Sequence, residues 1–249
     1  MSFEDVKEQV AVANRILAEL GLAAGVTASA GHASMRVPGQ TDRFVVKGRG
    51  YRMDALARMR AEDMVVCDLD GFRIEGPPGI SQCFEVKIHS CLYRTYPGVL
   101  SVVHVHPRFV VLMGTTRQLI RPLSNAGGPL VRKPVPVFPH NYLILSDEEG
   151  MGVANLMADS KVLILRGHGA VSTGVTLEES VTNMLRFEEQ ARMNWLALSA
   201  LGPNYGYIEE EMYNEPRPRR QDLPHFKDWP EGGSGVSEGL WTYFSDLVS

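Results

Sequence analysis

Apolar residues along the first twenty positions recur three or four apart. Val6, Val10, Ala13, Leu17 and Leu20 fall on one face of a helix, and Gly21 follows as a stop. From Val26 to Gly50 the spacing shortens to two. ASMRV, a turn at PGQTD and RFVVKG predict a hairpin. MVVCDLDGFRIEG repeats that pattern with Asp70-Gly71 at its turn, and Pro77–Gly79 is a loop. Helical spacing returns in FEVKIHSCLYRTY, where Phe84, Ile88, Cys91 and Leu92 form a stripe that Pro97-Gly98 ends. LSVVHVH predicts a strand, and Pro107 opens a helix at its first turn. VPVF is a short strand, and Ser146 or Asp147 caps a helix to about Asp159, with Glu149 as its box residue. KVLILRG reads as a buried strand. Thr176 caps a long helix over Leu177–Leu201.

Strands and helices mix without regular alternation, which predicts one α/β domain over residues 1–202, a central sheet with helices on both faces. From Pro203 the chain turns rich in Pro, Gly, Glu and aromatics. This extension, 203–249, is expected to pack on its own or a neighbouring subunit, with PRPRR and EGGSG loosely ordered or dependent on a partner. Its Tyr205, Tyr207, Tyr213, Trp241 and Tyr243 read individually as packing residues.

A length of 249 residues suffices for one sizeable core, and 44% apolar with 22% charged residues is ordinary for a globular protein. A net charge of −4 argues against nonspecific nucleic-acid binding, and no apolar run reaches the length of a bilayer span. The acidic N-terminus has no basic leader region, so export is not expected. Three cysteines, an odd and sparse set, fit a reducing cytoplasm. Cys83, close to Glu85, reads as a small buried residue.

His104 and His106 carry the chemistry. On a strand, alternate side chains share a face, so His-x-His sets two imidazoles side by side as a chelate for a divalent metal. His168, in RGHG, offers a third nitrogen, and its flanking glycines let the backbone approach an ion. Three neutral nitrogens suit zinc best, with manganese, iron or cobalt chemically allowed. Glu85 is a fourth ligand or an acid–base group. His89 lies one turn after Glu85 as an assistant or a packed histidine. His32, in a glycine loop, can contact substrate; His140 is a weaker candidate, and His225 a surface residue.

In this order the motifs resemble the class II aldolase/adducin family. AGHASMR stands where that family has a Gly-Asn-x-Ser-x-Arg loop. Glu85 followed by IHSCLYRTYPGVLSVVHVHP is similar to its Glu, Ile-His, Tyr, Pro and His-x-His-Pro run, and LILRGHG to its third-ligand segment. The likeness spans residues 5 to about 200. It implies a three-layer α/β/α fold with a mixed, mainly antiparallel sheet and a homotetramer with sites at subunit interfaces. It also implies one divalent ion per subunit, zinc or manganese, on His104, His106 and His168, with Glu85 as acid–base residue.

Substrate-facing positions depart from the sugar-phosphate members. His32 replaces the loop Asn, KGRGY (Lys47–Tyr51) stands in the Ser-Gly region, and Cys83 and Phe84 replace the Ser-Ser before the glutamate. Lys47 and Arg49 are expected to anchor a carboxylate, and Tyr51 or Phe84 to lie against a flat ring. Lys47, Arg49 and Arg52 read equally well as a solvated loop. The pattern, with PLSNAGGPL (Pro122–Leu130), resembles the decarboxylase branch acting on hydroxy-aromatic dicarboxylates. His32 or His89 would assist Glu85. The alternatives are an aldolase or dehydratase of a sugar acid or small hydroxy acid, and an adducin-like binding protein without turnover.

Overall fold

The computed structural model describes residues 3–219, 222–226 and 235–249. The opening stripe folds as α1 (Phe3–Glu19), burying Val6, Val10, Ala13 and Leu17. The hairpin follows as β1 (His32–Val37) and β2 (Gln40–Arg49), then β3 (Met64–Asp68) and β4 (Arg73–Glu75), with β5 (Ser81–Gln82) pairing the end of β2. Next come α2 (Val86–Thr95), β6 (Ser101–Val105), α3 (Arg108–Thr115) and the single turn α4 (Gly128–Val131). The chain continues through β7 (Val137–Phe138), α5 (Asp147–Met157), β8 (Val162–Leu165), β9 (Gly169–Gly174) and α6 (Leu177–Leu201), and ends with α7 (Glu210–Tyr213) and α8 (Gly235–Leu247).

Among the described residues the main sheet runs β4-β3-β2-β1-β6-β9-β8-β7, antiparallel throughout except for β7 beside β8. Period-two alternation sorts each strand's side chains between two cores. Val45, Val66, Val103, Val105 and Ile164 face α1, α3 and α6. Phe44, Val46, Val102, Leu163 and Val171 face α2 and α5. The fold is thus α/β in three layers, with a mixed, mainly antiparallel sheet. Ser146 and Thr176 cap their helices as expected, each accepting from the N–H three residues on.

Several local expectations change. The helix expected from Phe84 starts at Val86, because Glu85 has φ −95° and ψ 33° and closes a turn rather than a helical residue. Phe84 therefore leaves the apolar stripe and is 62% exposed. The strand ending in RGHG is the first half of a hairpin. GAVSTG, too small and glycine-rich to read as a strand, folds as β9 between β6 and β8. PLSNAGGPL leads into α4, which begins at its Gly128 and runs on to Val131.

In the tail, Trp241, Phe244 and Val248 pack on the core beneath α1, and the Arg15 guanidinium donates to the Val248 carbonyl at 3.0 Å. Most of EGGSG (231–234) and Arg220 of PRPRR lie outside the described residues. Among the described residues no helix is long and apolar enough to cross a membrane.

Candidate metal centre and its surroundings

β1 pairs β6 with His32 opposite His104, and β6 pairs β9 with His104 opposite Val171. This register sets His104 and His106 at the end of β6, where the β8–β9 turn delivers His168 and the turn before α2 delivers Glu85. Close approach is enforced by small residues. A Cβ on Gly169 would stand 2.7 Å from the Val105 carbonyl and 2.9 Å from Cε1 of His104. A Cβ on Gly31 (φ +107°) would stand 2.7 Å from the His104 carbonyl.

The ligand atoms of Glu85, His104, His106 and His168 all lie within 4.8 Å of one another. Nε2 of His104 is 3.3 Å from Nε2 of His106 and 3.2 Å from Oε2 of Glu85, which is 3.4 Å from Nε2 of His168. These lengths match the edges of a polyhedron around a small cation: four donors at about 2.0–2.1 Å from a centre are about 3.3–3.4 Å apart. The donor chemistry agrees. His104 Nδ1 donates to the Ala170 carbonyl at 3.0 Å, which leaves the Nε2 lone pair facing the cluster. Both ring nitrogens of His168 are buried without a hydrogen bond, an unpaired state that a cation on Nε2 would relieve.

The electrostatics favour ligand protonation states. The His106 imidazole is lowered to about 3, by burial first and then by the neighbouring His104 and His168 rings and Arg49, with Glu85 opposing, so it is neutral near pH 7. Burial pushes the Glu85 carboxyl up, but the His104 and His168 rings beside it pull it further down, well below the usual carboxylate range. Glu85 Oε1 accepts from the Ile144 N–H at 3.1 Å, which fixes the carboxylate's second oxygen on the cluster.

His32 and His89 stand beside the cluster, and both are buried. His32 Nδ1 lies 2.6 Å from His89 Nε2, His89 Nδ1 lies 2.6 Å from Ser34 Oγ, and Ser34 Oγ lies 2.7 Å from the Tyr93 hydroxyl. Burial, before any neighbouring charge, lowers His89 to about 3 and holds His32 well below its ordinary value. A contact of 2.6 Å leaves no room for an ion between His32 and His89. They form a hydrogen bond, not a second metal site, although Cys83 lies within 4.8 Å of both.

Of the cationic loop, Lys47 is fully buried rather than solvated, and Arg52 is exposed. Lys47 Nζ meets Asp54 Oδ1 at 2.5 Å, and Arg49 Nη1 meets Asp54 Oδ2 at 2.6 Å. Two cations thus share one carboxylate, which leaves one positive charge uncompensated. Arg49 Nε is buried with no partner, and the guanidinium lies 5.5 Å from the Phe84 ring centroid. The Tyr51 hydroxyl is engaged within the protein: it donates to the Asp63 carbonyl at 2.6 Å and accepts from the Gly48 N–H at 2.8 Å. Cys83 is buried, and burial pushes its thiol well up. His140 stacks on Tyr142 at 5.0 Å, and His225 lies in the tail against Phe226.

Sequence reasoning missed Asp54, Ser34, Tyr93 and the Ala170 carbonyl. Ser34 alternates with His32 on β1, so its facing was available from period two. Asp54 lies in an irregular loop, where no periodicity places it.

The model of the class II aldolase and adducin N-terminal domain matches residues 8–195. The chain is 32% identical over 242 residues to a 3,4-dihydroxyphthalate decarboxylase of Terrabacter sp., covering 94% of this chain and 92% of the relative. It is 26% identical to an L-ribulose-5-phosphate 4-epimerase of Salmonella paratyphi C, covering 85% and 93%. Among solved structures, an aldolase II superfamily protein from Pseudomonas syringae superposes with a TM-score of 0.79 at 20% identity, covering 98% of this chain and 92% of that one.

Proposed function

The chain belongs to the class II aldolase and adducin family, and from that premise we propose that it is a metal-dependent, non-oxidative decarboxylase of a hydroxy-substituted aromatic dicarboxylate. The observation that carries this reading is the convergence of three imidazole nitrogens and the Glu85 carboxylate beside an arginine that faces an aromatic ring. His104, His106 and His168 would hold one divalent ion, zinc or manganese, with iron or cobalt chemically allowed. That ion would supply Lewis acidity, drawing electron density toward the substrate's ring hydroxyl as carbon dioxide departs.

The residues do the rest. Arg49, with Lys47 behind it, would pair with the carboxylate that is retained, which orients the other over the cluster. Phe84 would lie along the ring. Glu85, held ionised, would take the proton of the ring hydroxyl on Oε2. When the bond between ring and carboxylate breaks, its electron pair stays on the ring carbon, and Glu85 or a water it positions delivers a proton there. The hydroxyl oxygen then regains a proton from solvent. His32 and His89 would support this transfer.

A second reading, aldol cleavage or dehydration of a sugar acid or small hydroxy acid, is favoured by the similarity to a sugar-phosphate epimerase. It needs the same stabilised carbanion, with Lys47 and Arg49 on a phosphate or a lone carboxylate. The family resemblance further supports a homotetramer, testable by light scattering, and the sparse cysteines support a cytoplasmic location, testable by cell fractionation. The change of composition at Pro203 supports a catalytic domain over residues 1–202 and an extension over 203–249.

The test is carbon dioxide release from a panel of ortho-hydroxy aromatic dicarboxylates. It compares metal-loaded protein, Glu85→Gln and a chelated control. Release that needs both metal and Glu85 supports the proposal. No release from protein shown to hold its metal overturns it in favour of the second reading.

A further inference from the structure

The buried row Tyr93, Ser34, His89, His32 has a direction. Each hydroxyl in it has one proton, and each neutral imidazole has one, so two arrangements run unbroken through the row; the other acceptor open to Ser34, the Val102 carbonyl, is 3.5 Å away. In one, Tyr93 donates to Ser34, Ser34 to His89 Nδ1, and His89 Nε2–H to His32 Nδ1, leaving His32 with its proton on Nε2. In the other every bond is reversed, and His32 Nε2 is a bare acceptor.

Basicity selects the first. A ring nitrogen is a far better acceptor than an alcohol oxygen, and the Ser34 Oγ to His89 Nδ1 contact of 2.6 Å places the hydroxyl to donate to it. The same arrangement gives each proton to the better base: phenol to alcohol at 2.7 Å, then alcohol to imidazole nitrogen. The row is not a proton exit. Tyr93 is 1% exposed, and burial pushes its phenol well up, so nothing drains from that end.

We infer that Tyr93, Ser34 and His89 are positioning residues that fix His32 as an Nε2–H donor to an anionic oxygen of the substrate, its carboxylate. His32 Nε2 makes no hydrogen bond among the described residues, and the ring lies 5.2 Å from that of His104. Apart from the ion it would hold, the cluster presents only lone pairs and a carboxylate, so a substrate anion beside it gains from a fixed hydrogen-bond donor, and His32 adjoins it. The substrate assignment rests on the decarboxylase reading; the direction of the row does not.

The test reads protons directly. Zinc-loaded protein labelled with 15N-histidine gives long-range proton–nitrogen correlations that report which nitrogen of each ring bears hydrogen, with His32 assigned by its absence in His32→Gln. We expect His32 to be protonated on Nε2 alone in the unaltered protein. In Ser34→Ala, where His89 loses its donor, the Nδ1 form should rise to a comparable population. A His32 protonated on Nδ1 in the unaltered protein overturns the inference without any variant. An unchanged tautomer in folded Ser34→Ala overturns it as well. The readout needs no turnover, so it stands apart from the carbon dioxide assay, whose failure would remove only the identity of the anion.

Discussion

A methyl group on Gly169 would stand 2.9 Å from Cε1 of His104 and 2.8 Å from Cδ2 of His106, so this one glycine sets how closely β9 approaches the chelating pair. Gly169→Ala must push the β8–β9 turn, and with it His168, away from the other ligands. Loss of alignment around a metal weakens binding by roughly 10–100-fold. The expected outcome is protein with near-normal circular dichroism that loses its ion to a competing chelator at least tenfold more readily. Unchanged metal retention would show that the turn can shift without moving His168.

Asp54 is the counter-charge of a lysine with no exposed surface. Asp54→Asn leaves Lys47 buried and unpaired, and breaking such a pair costs about 3–5 kcal/mol. Asp54 is itself 21% exposed, so the lower end of that range is expected. Urea unfolding would measure it. Lys47→Met in the same chain should recover most of the loss, because the double variant buries no orphan charge. A double variant as unstable as Asp54→Asn alone would mean that the carboxylate matters through Arg49 or the loop.

The fold was legible where period and punctuation agreed. The α1 stripe, the first two hairpins, the Ser146 box and the Thr176 cap each combine an apolar period with a capping or turn residue. Strand β9 was not, because Gly169, Ala170, Ser172 and Gly174 carry little hydrophobic signal. They are small because the strand is squeezed between β6 and β8 and against the start of α6. At the site, His-x-His and the glycines of RGHG told their own story through spacing. Asp54 did not, since its meaning lies in charges brought to it by β2. Lys47 read equally well as a carboxylate anchor or a solvated loop cation until the strand that buries it was in place.

Phe84 offers a contrast between binding and folding. With 62% of its surface exposed and only Arg49 across from its ring, it contributes little to the core. Phe84→Ala should leave the melting temperature nearly unchanged. On an aromatic substrate it should raise KM by several-fold, the equivalent of about 0.5–1.5 kcal/mol of ring contact. Steady-state kinetics beside a thermal scan would separate these effects. A large fall in melting temperature with unaltered KM would place Phe84 in packing instead.

His89 makes stability depend on pH in a stated direction. Its imidazole is lowered from 6.5 to about 3, by burial first and then by the neighbouring His104 ring, with Glu85 opposing. Above about pH 6.5 neither the folded nor the unfolded chain protonates this ring, and its contribution is fully present. As pH falls from there toward 3, the unfolded chain takes up a proton that the folded chain refuses, so stability declines. Between about pH 7 and 5 the expected loss from this one residue is about 2 kcal/mol. His32, lowered by the same burial, adds a loss of the same sign, while Tyr93 stays protonated across the window. Glu85 stays ionised across it, its carboxyl being held below the ordinary range. Urea unfolding at the two pH values, compared between the unaltered protein and His89→Gln, isolates the term. The variant is less stable at neutral pH because it disturbs the Ser34 and His32 contacts, yet its stability should fall with acid less steeply by that amount. Equal slopes in the two proteins would mean that the folded chain protonates His89 as readily as the unfolded chain does, and that the row from Tyr93 to His32 opens to solvent in weak acid.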